Sequence, residues 1–221
     1  MDSFYQMTVW LAPVVLAITL HEAAHGYAAL RFGDDTALRA GRVSLNPLRH
    51  VDLYGTIIIP AVLLFSGAPF LFGYAKPVPV NFWRLANPKR DMIWVAAAGP
   101  AMNILLALIS GFLFHVLDFL PPATGSWLGE NLVNSIQINA VLAVFNMLPI
   151  PPLDGGRVAV GLLPRPLAQP LAGLERWGLA IIIGVLFILP MISRNLDVVP
   201  WLIGRPVDAV INFIATVTGL S

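Results

Sequence analysis

Residues 92–117 run for 26 positions without one Asp, Glu, Lys or Arg. About 20 such residues in a helix cross the roughly 30 Å hydrocarbon layer of a bilayer. A single soluble core has little means of hiding a run of that length. Residues 7–30, 55–73, 131–148, 177–192 and, more weakly, 198–220 share the character. Over the whole chain 57% of residues are hydrophobic and 11% are charged, against about 25% charged in soluble domains. These features exclude an ordinary cytosolic enzyme. They predict an all-α, polytopic membrane protein, a helical bundle in which residues 1–221 form one domain. The formal net charge of +1 offers no basic surface to a nucleic acid. With no cysteine in the chain, disulfide frameworks, thiolate zinc sites, iron–sulfur clusters and cysteine nucleophiles are excluded. Residues 1–6 contain no Lys or Arg, so the start does not read as a removable leader.

Basic residues orient the segments. Arg31, Arg39, Arg42, Arg49, Lys76, Arg84, Lys89 and Arg90 flank residues 55–73, and Arg157, Arg165 and Arg176 follow residue 148. Residues 120–130 carry no Lys or Arg. Positive charge collects on the cytoplasmic side. Residues 7–30 are therefore expected to run inward, 92–120 outward, 131–148 inward, 177–192 outward and the last segment inward. Arg194 falls on the outer side in this scheme. Because both its flanks are basic, residues 55–73 are expected to form a re-entrant hairpin, broken at Pro60 and at Gly67-Ala68-Pro69; a plain crossing is the competing reading. Val43 and Leu45 alternate within residues 41–46, an expected short membrane-edge β element.

One segment carries chemistry. His21-Glu22-Ala23-Ala24-His25 is an H-E-x-x-H pattern inside an apolar helix. Residues four apart lie about 40° apart around a helix, so the two imidazoles face one way and can share a metal, with Glu22 beside them. Charged groups at bilayer depth cost about 2.5–3.5 kcal/mol each on insertion scales. A third zinc ligand is still required. The extended soluble pattern asks for glycine and histidine at positions where this chain has Ala28 and Arg31, and no Glu occurs between Gly26 and Gly129. Asp154, in Asn146-Met-Leu-Pro-Ile-Pro-Pro-Leu-Asp154-Gly-Gly-Arg157, is the best remaining candidate. Its plain alternative is a residue capping the next helix. His50-Val51-Asp52 reads as a solvated loop, and His115 with Asp118 as an interfacial pair. Ala96, Ala97, Ala98, Gly99 and Ala101 are small enough to let helices approach closely.

Three landmarks in order resemble the site-2 proteases, the intramembrane zinc metalloproteases: His21-Glu22-x-x-His25, Gly99-Pro100-Ala101-Met102-Asn103, and Asn146 through Leu153-Asp154-Gly155-Gly156. The resemblance covers a three-helix core. It implies one Zn2+ held by His21, His25 and Asp154, Glu22 as catalytic base, an active site toward the cytoplasmic side of a bacterial or archaeal cell membrane, and transmembrane segments of other proteins as substrates. It also implies a short form, without an inserted peptide-binding domain or a nucleotide-sensing domain. Asn103 and Asn146 have two readings, contact with the substrate or the oxyanion, and hydrogen bonding between helices. A membrane metal carrier and a non-catalytic scaffold for transmembrane helices are the rival functions. A carrier is expected to show repeated halves and a scaffold a damaged metal motif; the sequence has neither.

Overall fold

A computed structural model describes residues 3–59, 62, 76–193 and 197–220. Three long helices make the core: α1 (Ser3–Arg31), α3 (Pro88–Leu113) and α4 (Pro122–Asn146). A four-residue helix α2 (Thr36–Arg39) follows α1. Pro88 occupies the first turn of α3, where its missing N–H costs nothing, and the Asp91 carboxylate reaches back to the Asn87 N–H at 2.7 Å. Beyond Leu113 the helix tightens into a 3-10 segment, Phe114–Phe119. Pro121 then ends it, and Pro122 opens α4.

α4 begins well before residue 131. Residues 122–130 look like a polar connection, but a proline at the first helical position starts the helix there. Two hydrogen bonds dock this end on α1: Tyr5 Oη–H to Glu130 at 2.9 Å and Trp127 Nε1–H to Thr8 Oγ1 at 3.1 Å. Among the described residues, the helices long and apolar enough to cross a membrane are Phe4–Arg31, Pro88–Phe119 and Arg165–Ile192. α4 is long enough but more polar, because Asn131, Ser135 and Asn139 hydrogen-bond inside the bundle.

The packing is inside out relative to a soluble bundle. Ala17, Ala107 and Ala140 are fully buried between helices, while Leu11 and Leu179 are 63% and 66% exposed. Small residues bring the backbones together, and large apolar ones face lipid. After α4, Pro149 stops the chain and a turn leads into α5 (Asp154–Leu162). α6 (Arg165–Gly173), a 3-10 turn Leu174–Trp177, α7 (Gly178–Ile183), a π turn Gly184–Ile188 and α8 (Leu189–Ile192) run on as one apolar rod. α9 (Arg205–Thr218) packs on α3 and α4. Gly111 admits Thr218 so closely that a Cβ there would fall 2.7 Å from its methyl carbon, and His115 Nε2–H donates to Thr218 O at 2.7 Å.

Two expectations change. Residues 41–46 form no strand: Gly41 has φ +65°, and Asn46 instead accepts the Leu48 N–H at the start of a 3-10 turn. His50 is not solvated; it is 1% exposed, and its Nε2–H donates to Ser44 O at 2.9 Å. The hairpin expected over residues 55–73 falls mostly outside the described residues. Its described start, Leu53–Ile58, is a π-helical turn capped by Asp52, which accepts the Tyr54 and Gly55 N–H groups.

Candidate metal centre

One turn of α1 separates His21 from His25, and their rings meet edge to face with centroids 4.7 Å apart. His21 Nε2 and His25 Nε2 lie 3.1 Å apart. Asp154 Oδ2 lies 3.2 Å from the first and 3.3 Å from the second. All three side chains are buried. The turn before α5 delivers Asp154. Gly155 and Gly156 press on the backbone of Met147–Leu148 and Ile150–Pro151, where a Cβ would overlap those atoms.

These atoms fit a zinc ion. In a tetrahedral site with bonds of about 2.0–2.1 Å, ligand atoms lie roughly 3.3–3.4 Å apart; the three edges here are 3.1, 3.2 and 3.3 Å. Two imidazole nitrogens and one carboxylate oxygen leave a fourth position for water, as in catalytic zinc sites. Asp154 Oδ2 is buried with no hydrogen-bond partner, a costly arrangement unless a cation compensates it. Gly99 keeps the space open: a Cβ there would fall 2.5 Å from His25 Nε2 and 2.6 Å from His21 Nε2. The sequence signalled Gly99 as a helix-packing residue and as part of the second landmark, with nothing to place it against the histidines.

The outer nitrogens are also held. His25 Nδ1–H donates to Val95 O at 2.7 Å, and His21 Nδ1–H donates to Asn103 Oδ1 at 2.6 Å. A proton on each Nδ1 leaves each Nε2 with a bare lone pair. Asn103 is fully buried. Its Nδ2 donates to Asn139 Oδ1 at 2.8 Å and to Ala17 O at 3.3 Å. Asn146 bonds to its own helix, Nδ2–H to Leu142 O at 3.0 Å.

Glu22, half-buried next to this group, accepts the Val78 N–H on Oε2 at 2.8 Å. Val78 belongs to a strap without regular secondary structure, residues 76–80. The strap is tied down at Lys76 N–H to His50 O, 2.8 Å, and Asn81 N–H to Asp34 Oδ2, 2.6 Å. Its only sequence signal is Pro77 and Pro79, which forbid a helix there.

The family model for peptidase family M50 matches residues 9–136. Curated relatives agree. The protein named "Putative zinc metalloprotease YwhC" of Bacillus subtilis is 37% identical over 200 residues, 86% of this chain and 87% of its own length. Rip2 of Mycolicibacterium smegmatis is 32% identical, covering 83% of this chain and 68% of Rip2. MJ0611 of Methanocaldococcus jannaschii is 32% identical, covering 62% of each; both are likewise named as zinc metalloproteases. No solved structure matches at a significant level. With more than half of the chain matched by the family model and a relative aligned over most of both lengths, this integral membrane protein belongs to peptidase family M50, the zinc metalloproteases of site-2 type.

Proposed function

We propose that this chain is an endopeptidase that cleaves transmembrane segments of other membrane proteins, with His21, His25 and Asp154 as zinc ligands and Glu22 as general base. The observation that carries the reading is the buried triangle of three ligand atoms with Glu22 alongside and Gly99 leaving the space before them open. Bound zinc supplies Lewis acidity, which lets a water lose its proton near neutral pH.

The chain's own residues do the rest. Val78 N–H engages one Glu22 oxygen, which fixes the carboxylate and leaves Oε1 to accept a proton. Glu22 then returns that proton to the leaving amine. Asn103 acts as a positioning residue for His21. Its N–H groups bond to Asn139 and Ala17, which supports the second of its two readings, hydrogen bonding between helices. Asn146 similarly spends an N–H on its own helix.

Depth and sidedness follow from α1. His25 and His21 precede Arg31, the end of α1, by roughly 9 and 15 Å of helix rise. The site therefore sits within the membrane, near the face where Arg31, Arg39, Arg42 and Arg49 gather, the cytoplasmic one by the charge rule. The bond to be cut must leave its helix first, because helical carbonyls are already hydrogen-bonded.

The test is cleavage of a panel of single-pass membrane proteins by purified wild-type and Glu22→Gln protein, with zinc quantified in both. The reading requires zinc in both and cleavage only by the wild type. Equal cleavage by the two would overturn it.

A further inference from the structure

Two neighbouring histidines are oriented by acceptors of different kinds. His25 Nδ1 faces the Val95 carbonyl, which can only accept. His21 Nδ1 faces the side-chain amide of Asn103, which can present either its oxygen or its NH2 group. With the oxygen toward His21, the imidazole carries its proton on Nδ1 and offers Nε2 to a metal. With the amide reversed, its NH2 would face Nδ1, favour a proton on Nε2, and close that nitrogen to coordination. Something must therefore choose which end Asn103 presents.

Asn139 on α4 is placed to choose. It is 1% exposed, and its Oδ1 accepts from Asn103 Nδ2 at 2.8 Å, a shorter bond than the 3.3 Å one to Ala17 O. Asn139 is itself an amide, and its own orientation is fixed one step further out. Its Nδ2 donates to Ser135 O at 2.9 Å and lies 3.3 Å from Ser135 Oγ. Ser110 Oγ lies 2.7 Å from Ser135 Oγ, linking α3 back to α4. A backbone carbonyl, the Ser135 O, thus anchors a one-way series of donors that runs through Asn139 and Asn103 and leaves the oxygen of Asn103 facing His21. The Ala17 carbonyl, at the longer 3.3 Å, favours the same end of Asn103.

We infer that Asn139 is a positioning residue that sets the metal-binding tautomer of His21 through Asn103. The inference rests on the zinc-ligand reading above. It gives a physical reason for a fully buried amide pair in a hydrocarbon-facing bundle, where polar side chains are costly.

The experiment measures zinc affinity of the intact, detergent-solubilised protein by chelator competition, together with the absorption bands of Co2+ substituted for zinc. Asn139→Ala removes the acceptor; Asn139→Asp, as a neutral buried acid, restores an oxygen toward Asn103 and an O–H toward Ser135 O. The expected result is zinc binding about 10- to 100-fold weaker in Asn139→Ala, the usual range for losing an outer-shell partner, with altered Co2+ bands. Asn139→Asp should return to within about threefold of wild type, on the same outer-shell scale. Equal affinity in all three proteins, or an equal loss in both variants, overturns the inference while leaving the zinc ligands in place. Failure of the wild type to bind one zinc would instead overturn the reading beneath it. Should Asn139→Ala not fold, zinc-loaded wild-type protein with 15N-labelled asparagine decides: both Asn103 Nδ2 protons must be protected from exchange, and exchange at the solvent rate overturns the inference.

Discussion

Replacing Gly99 by alanine adds one methyl group where α3 meets the two histidines. Its carbon would fall 2.5 Å from His25 Nε2 and 2.6 Å from His21 Nε2 and Cε1, roughly 1 Å inside normal carbon contact, which is about 3.5–4.0 Å. Neither ring can step aside freely, since each is hydrogen-bonded at Nδ1, to Val95 O and to Asn103. Relief requires α1 and α3 to part, or a ring to swing and open the 3.1–3.3 Å ligand triangle. Overpacking of this kind costs about 1–3 kcal/mol. Charged against metal binding, that is a loss of about 5- to 150-fold in zinc affinity, at 1.4 kcal/mol per tenfold. The assay is chelator competition on purified Gly99→Ala beside Ala101→Ser, whose side chain lies exposed on the same helix. The control should bind zinc as the wild type does. Wild-type affinity in Gly99→Ala would show that the histidines do not meet in front of this glycine.

Glu22→Gln should retain stoichiometric zinc and lose about 10²- to 10⁴-fold in cleavage rate, the usual contribution of a general acid–base group; single-turnover cleavage measures it. Gly155→Ala should lower the thermal unfolding midpoint by about 2–12 °C, because a Cβ there overlaps the Met147 and Leu148 carbonyl groups; a scan of the purified protein checks this. Asp34 gives a pH signature. Burial pushes its carboxyl upward, but hydrogen bonds from Thr36 and Asn81 and the charge of Arg84 outweigh burial and hold it below its ordinary value. A folded-state pKa below the unfolded one contributes stability that is complete above the unfolded value, about 3.9, and is lost as pH falls through the folded value. The stability advantage of wild type over Asp34→Asn should therefore be constant from pH 7 to about 5 and shrink below about 4, as followed by unfolding midpoints.

Much of the site was legible because it depends on short-range spacing. A four-residue interval puts His21 and His25 on one face of any helix. The prolines and glycines around Asp154 mark a turn whatever the fold. The long uncharged runs announced α1, α3 and, over residues 177–192, the second half of the rod that starts at Arg165. What stayed hidden depends on partners far apart in the chain. Asn103 stood out as an amide in an apolar run, yet its bonds to His21 and Asn139 span 82 and 36 residues. Asn139 was one of several asparagines on α4, with nothing local to distinguish it. Gly99 opened the second landmark, but its contact with the histidines shows only when α1 is set against it. The grip of Val78 on Glu22 spans 56 residues and uses a backbone N–H, which leaves no trace in residue type. The same cause misplaced the start of α4. Residues 122–130 pass for a loop in the sequence, and their docking on Tyr5 and Thr8 joins partners more than 100 residues apart.

The central claim is that two imidazoles of α1 and the carboxylate that opens α5 hold one zinc ion. Anomalous diffraction at the zinc edge from crystals of the wild-type protein tests it most directly. A single strong peak is expected about 2.0–2.2 Å from His21 Nε2, His25 Nε2 and Asp154 Oδ2. A zinc peak bound elsewhere, or Asp154 turned away from a metal held by the histidines alone, would contradict it.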